Sequence, residues 1–162
     1  METIIVSLEP ALQTEIQDLL RQSDAVAAAL YPGAFRRAIT AASLNHQGTH
    51  VLVARRAGKA AGLCVLFDRG DGAMELKRMI VDEAARATGV GVALVRAAHS
   101  TARNLGACTL LLEVGTRNLA AQALYAREGY RLRDAFAPYH PSPISLFMER
   151  DLVELQQAHP DS

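Results

Sequence analysis

Tryptophan is absent from this chain of 162 residues, cysteine occurs only twice, and aromatic residues make up 5% of it. So few thiols exclude a disulfide scaffold, and none is needed, since a chain of this length buries about 70% of its unfolded surface in a single core. Neither sign of charge predominates: 17 Lys+Arg stand against 17 Asp+Glu, for a net charge of zero and a pI near 7.0. That balance argues against a dedicated nucleic-acid binder, whose surface carries a basic excess. Long apolar runs are missing as well, because stretches such as Thr109-Leu110-Leu111-Leu112 fall far short of the roughly 20 residues that span a bilayer. Met1-Glu2-Thr3 has no basic leader, and no glycine follows Met1. A cytoplasmic chain without membrane contact is the expectation.

Cys64 and Cys108 sit in apolar runs rather than in a CxxC pair, which predicts buried free thiols. His46, His50, His99, His140 and His159 lack ligand spacing, so no metal site is expected. There is no GxSxG elbow, and neither cysteine has a supporting histidine constellation, so a covalent acyl-enzyme has no motivated nucleophile.

Half of the residues are hydrophobic, and their periodicity predicts one mixed α/β domain over residues 1–162. A short strand over residues 3–8 is followed, after Glu9-Pro10, by a helix with Leu12, Ile16, Leu19 and Leu20 on one stripe. Tyr31-Pro32-Gly33 breaks it, and a second helix is expected from Phe35 to about Leu44. Residues 49–55, 60–67 and 73–81 read as three consecutive antiparallel strands joined by glycine-containing turns, with Arg55-Arg56 a solvated hairpin end. The period then changes, because Val90, Leu94, Ala97, Ala98, Thr101 and Leu105 recur at helical spacing until Gly106. Residues 108–114 suit a central strand covered on both faces. Asn118 can cap a helix that Gly129 ends, and residues 130–132 and 144–148 look like closing strands.

Arg86-Ala87-Thr88-Gly89-Val90-Gly91 lies between a strand end and the start of the long helix. Glycines let the backbone approach a ligand, and the free N–H groups and roughly half positive charge of a helix N-terminus favour an anion such as a pyrophosphate. The spacing fits neither GxxxxGK[ST] nor GxGxxG, where Leu94 stands in place of the third glycine.

This stretch resembles the coenzyme-A signature Arg/Gln-x-x-Gly-x-Gly/Ala of the GNAT superfamily, the Gcn5-related N-acetyltransferases. Met74-Glu75-Leu76-Lys77-Arg78-Met79-Ile80-Val81-Asp82 is similar to that family's fourth strand, and Ala123-Leu124-Tyr125-Ala126-Arg127-Glu128-Gly129-Tyr130 to its A-L-Y-x-x-x-G-F/Y motif. The resemblance covers residues 72–150, and Tyr31-Pro32 matches a segment common in bacterial members.

The resemblance implies the GNAT acyl-CoA N-acyltransferase fold: a central mixed, mostly antiparallel sheet flanked by helices, whose fourth and fifth strands splay apart. It implies acetyl-CoA as cosubstrate, an amine as acceptor, and direct transfer in a ternary complex. The N–H groups of Thr88, Gly89, Val90 and Gly91 would hold the pyrophosphate, with Arg86, Ala87 and Val92 in the same loop and Arg127 or Arg96 near the 3′-phosphate. Met79, Ile80 and Val81 would line the pantetheine arm, and Asn118 either contacts it or simply caps its helix. Tyr125 takes the position of the general acid that protonates the departing thiolate. Glu75, six residues before Val81, is the candidate base, with Lys77 on the same nominal face unless a bulge changes the parity.

Ala87 replaces a common glycine, tolerable at negative φ, and Val92 removes a cationic contact. Residues 134–140, with Phe136 and Tyr139, form either an acceptor wall or a proline-stiffened surface loop. The alternative to an enzyme is a non-catalytic acyl-CoA-binding sensor on the same fold. The resemblance leaves room for a homodimer, although no sequence feature marks an interface.

Overall fold

The computed structural model describes residues 3–33 and 39–153. Strands β1 (Ile4–Leu8), β2 (Thr49–Arg56), β3 (Lys59–Asp68) and β4 (Ala73–Val81) form an antiparallel meander. The tightest of its turns places Ala57 and Gly58 at φ 51° and 78°, the positive pair that a two-residue hairpin turn needs. Helix α1 (Thr14–Leu30) precedes β2, and helix α2 (Val90–Asn104) follows β4. Strand β5 (Thr109–Gly115), helix α3 (Leu119–Arg127), β6 (Arg131–Arg133) and β7 (Ser145–Asp151) complete one seven-stranded sheet in the order β1-β2-β3-β4-β5-β7-β6. The chain therefore has the mixed, mostly antiparallel sheet that the sequence predicts, with β4 and β5 as its parallel pair.

Apolar side chains alternate across the sheet and fill two layers. Leu52, Cys64, Leu66, Leu76, Leu110 and Leu112 pack under α2 with Leu94, Val95 and Ala98. Val51, Val53, Leu63, Val65 and Ile80 pack under α1 with Ile16, Leu19 and Leu20. Gly62 allows sheet and helix to approach closely, since a Cβ there would lie 2.8 Å from the Ile80 carbonyl oxygen and 3.0 Å from Leu94 and Val90.

Several expectations need correction. Leu12 lies outside α1 and is 58% exposed, because the helix starts only at Thr14, after the turn at Pro10. Of the second expected helix, residues 35–38 fall outside the described residues, and Ala42–Leu44 form a single 3-10 turn. Cys64 is buried, but Cys108 is exposed, since it precedes the stretch of β5 that is covered by helices. Arg55 is no free hairpin end: its guanidinium grips both carboxylate oxygens of Glu9 at 2.8 and 2.9 Å and reaches Glu15 at 3.0 Å. This fork ties the approach to α1 onto the β2–β3 hairpin.

Candidate functional site

Strands β4 and β5 pair only at Ala73–Thr109, Met74–Leu110 and Glu75–Leu111. Beyond Glu75 they diverge, while β4 stays on β3 as far as Val81 and β5 stays on β7 as far as Gly115. A wedge-shaped gap thus opens in the middle of the sheet, walled by the second halves of the two strands. The main chain along that wedge lacks a neighbouring strand, and such unpaired N–H and C=O groups are a template for an extended ligand.

A bulge in β4 sets which groups face the gap. Val65 pairs with Lys77 but Leu63 with Ile80, so the strand carries an extra residue opposite Cys64, with Arg78 at φ 56°. The Arg78 guanidinium donates to Asp24 of α1 at 2.8 Å, which fixes the kink from above. The bulge reverses the side-chain parity: Leu76 belongs to the layer under α2, whereas Ile80 belongs to the layer under α1. Met79 and Val81 consequently pack toward α2, on the face opposite Glu75 and Lys77. On the β3 side, the Asp82 N–H donates to Ala61 at 2.8 Å and the Ile80 carbonyl abuts Gly62. By the alternation of a strand, the main-chain groups of Met79 and Val81 then point the other way, into the gap.

At the mouth of the gap, Asp82 caps a short 3-10 turn, accepting from the Ala84 N–H at 3.1 Å, and Gln22 of α1 clamps Asp82 at 2.7 Å. Helix α2 begins immediately after Gly89, at φ 91°, with no side-chain cap. Its first intrahelical bond runs from the Ala93 N–H to the Gly89 carbonyl, so the N–H groups of Val90, Gly91 and Val92 have no acceptor within the helix. Thr88 spends its hydroxyl on the Ala85 carbonyl. Ala87 has φ 62°, correcting the expectation of a negative value: a left-handed turn is made here without glycine. Arg86 is exposed beside this turn, as is Arg127 at the end of α3, whereas Arg96 is paired with Glu128 at 3.2 Å. Gly91 lets α2 meet α3, since a Cβ there would lie 3.3 Å from Leu124.

Tyr125 is 6% exposed on α3, with its ring 5.5 Å from that of Tyr130. Burial, reinforced by the neighbouring Cys64, raises its pKa above the ordinary phenol value, so it stays protonated and keeps a proton to donate. Burial likewise pushes the Cys64 thiol up to about 12, which leaves it inert. Asn118 accepts from the Ala121 N–H at 3.3 Å, so its carbonyl oxygen caps α3.

Glu75 is buried at the narrow end of the gap, on the face away from α2. Its Oε2 accepts the Tyr139 hydroxyl at 2.6 Å, with Lys77 Nζ 3.7 Å away and Arg69 3.8 Å away. Burial, and then this hydrogen bond, raise the Tyr139 pKa and keep it a donor. Phe136 is buried against Leu111 and Phe147, with Tyr139 edge-on at 5.3 Å. The loop over residues 134–144 is therefore packed onto the sheet beside Glu75 rather than standing free. Sequence reasoning did not single out three further residues of this region. Arg117 stacks on the Tyr31 ring and donates to the Leu30 carbonyl, while its N–H bonds the Tyr31 hydroxyl at 2.8 Å. Gly115 lies directly beneath that ring, where a Cβ would collide with the hydroxyl. Glu113, the third, stands on β5 in the diverging segment. No local sequence signal marks these positions, because Arg117 and Gly115 meet Tyr31 across more than 80 residues of chain and Glu113 meets Ser145 across 32.

The acetyltransferase (GNAT) family model matches residues 14–130. The chain is 34% identical over 153 residues to an IAA acetyltransferase of Azospirillum brasilense, spanning 94% of this chain and 100% of that one. A solved acyl-CoA N-acyltransferase structure from Klebsiella pneumoniae is 33% identical, with TM-score 0.79 over 94% of this chain and 99% of that one. A GNAT acetyltransferase from Elizabethkingia anophelis with acetyl-CoA bound shares the fold at 18% identity and TM-score 0.67, over 91% of this chain and 97% of that one.

Proposed function

The chain belongs to the acetyltransferase (GNAT) family, and from that membership we propose that it transfers an acetyl group from acetyl-CoA to a primary amine by direct attack in a ternary complex. The observation that carries this reading is the divergence of β4 and β5 beyond Glu75, directly beneath the uncapped start of α2. An anionic pyrophosphate suits the N–H groups of the 86–92 turn, and the pantetheine amides suit the unpaired main chain of Met79 and Val81. Ile80 supports that strand from the opposite layer. A main-chain N–H aimed at the thioester oxygen stabilises the oxyanion that develops on attack.

Tyr125 is the proposed donor to the leaving sulfur. A phenol with a raised pKa is a weaker acid than the departing thiol, so its contribution is hydrogen-bond donation to the developing thiolate rather than net proton transfer. The proton of the acceptor goes to a carboxylate on the face away from α2, where Glu75 is the residue that the sequence nominates. The relative named IAA acetyltransferase widens the acceptor screen to aromatic acids and amines alike. No helix among the described residues is long and apolar enough to cross a membrane, which suits a cytoplasmic reaction on a diffusible acceptor.

Calorimetric titration with acetyl-CoA, free CoA and ATP tests the binding half. Micromolar affinity confined to the CoA ligands is expected; a folded sample that binds none of them overturns the proposal. Thiol release with a panel of amines tests the chemistry. Tight acetyl-CoA binding with no turnover on any acceptor would instead favour a non-catalytic acyl-CoA sensor.

A further inference from the structure

Along β5, Leu110, Leu112 and Val114 belong to the layer under α2, while Leu111 packs with Phe136 and Phe147 on the other face. Strand alternation puts Glu113 on the Leu111 face, paired with Phe147 of β7 on one flank. On its other flank there is no strand, because the pairing with β4 ends at Leu111. The Glu113 carboxylate therefore stands on the wall of the gap, on the face away from α2. It is exposed and accepts a single hydrogen bond, from Ser145 Oγ to Oε1 at 3.1 Å. Among the described residues no Lys or Arg lies within ion-pair distance of it.

Glu75 has the opposite character. It is 5% exposed, sits where the strands are still paired, and is engaged by Tyr139, Lys77 and Arg69. Those contacts anchor the 134–144 loop and leave little of the carboxylate for an incoming proton. A general base has to lie within reach of the proton that it removes, directly or through one water.

We propose that Glu113, rather than Glu75, is the catalytic base of this site; the inference rests on the amine N-acetyltransferase reading above. The groups facing it are Ser145 on β7 and Tyr139 on the 134–144 loop, whose phenol lies in the field of both Glu113 and Glu75. The acceptor ammonium gives one proton to Glu113, and the freed lone pair forms the C–N bond at the acetyl carbon. The C–S bond breaks with its electron pair on sulfur, and the thiolate leaves hydrogen-bonded to the Tyr125 hydroxyl. The second nitrogen proton passes from the acidic amide cation to the thiolate, and Glu113 gives its proton to solvent, so each turnover releases one proton.

The test compares wild type, Glu113→Gln and Glu75→Gln at about pH 7 and about pH 9.5, with 2-phenylethylamine, spermidine and a tripeptide bearing a free N-terminus as acceptors. Glu113→Gln is expected to lower kcat/KM about a hundredfold at the lower pH. For 2-phenylethylamine and spermidine that deficit should shrink to less than about tenfold at the higher pH, because an amine of pKa near 10 supplies its own free base about tenfold more per pH unit, whereas the tripeptide α-amine, of pKa near 8, should recover less. Acetyl-CoA affinity by calorimetry should match wild type, which also reports a folded site. Glu75→Gln, by disturbing the loop, should give a deficit that is equal at both pH values. A pH-independent loss in Glu113→Gln, no loss at all, or a pH-recoverable loss in Glu75→Gln would overturn the assignment. Failure of the reading beneath it shows differently, as absent turnover or absent acetyl-CoA binding in the wild type itself, and takes Glu113 with it.

Discussion

Tyr125 combines a buried phenol on α3 with the proposed part of donor to the leaving sulfur, and the two make separable demands. Replacing it with Phe keeps the ring packed against Tyr130 while removing only the donor. Tyr125→Phe should lower kcat by about a hundredfold with acetyl-CoA affinity unchanged, checked by thiol-release kinetics alongside calorimetry. Ala87 carries a cost of another kind, since a residue with a Cβ at φ 62° is strained by about 1 kcal/mol relative to glycine. Ala87→Gly should therefore leave the fold equally or more stable, by up to about 1 kcal/mol, with the urea midpoint as the readout. His99 is a buried histidine that the chemistry does not use: it is 5% exposed, with Nε2 3.2 Å from the Tyr130 hydroxyl. Burial, aided by the positive charge of Arg150, lowers its pKa to about 4.

At the level of elements, the site is made by what β4 fails to do. It carries a bulge at Arg78, pinned by Asp24, and it abandons β5 after Glu75, so that one strand serves both as core and as an open edge. Gly62 holds this arrangement together, because any side chain there would strike the Ile80 carbonyl and the first turns of α2. Gly62→Ala should destabilise the protein by about 1–3 kcal/mol and weaken acetyl-CoA binding together, as seen by thermal melts and calorimetry. The strands, α2 and α3 could be read from the sequence because hydrophobic period and turn residues are local signals. The bulge left only a trace, since the consecutive polar pair Lys77-Arg78 interrupts the alternation within 73–81, and it takes the register against β3 to place the extra residue. The same holds for Cys108, whose apolar neighbours suggested burial that the end of the sheet does not provide.

Over the whole molecule, two buried or half-buried charge systems link stability to pH. The pKa of His99 is lower in the folded state than the unfolded value of about 6.5, so the unfolded chain binds its proton first. Stability from this group is complete above about pH 6.5 and is lost as pH falls toward 4, by about 3 kcal/mol in total. Glu9 and Glu15 are also lowered, chiefly by the Arg55 fork at Glu9 and the Ala60 N–H at Glu15, and their stabilisation fades as the pH drops below the ordinary carboxylate range. Urea midpoints should therefore decline from pH 7 to pH 4.5, and His99→Gln should flatten that slope. Arg55→Ala should cost about 1–2 kcal/mol at neutral pH, because it strands Glu9 and loosens α1 from the β2–β3 hairpin.

The sequence by itself determined the strands, α2 and α3, and the membership that Arg86–Gly91 and the Tyr125 segment announce, because each of these is encoded by neighbouring residues. Only the tertiary structure decided which carboxylate stands free. Glu75 and Glu113 are both acidic residues on predicted strands, and nothing adjacent to either distinguishes them. One is sequestered by Tyr139, 64 residues away, and the other is left open because β4 has turned aside from it. Accessibility is a property of how distant segments pack, and no local pattern of residues contains it.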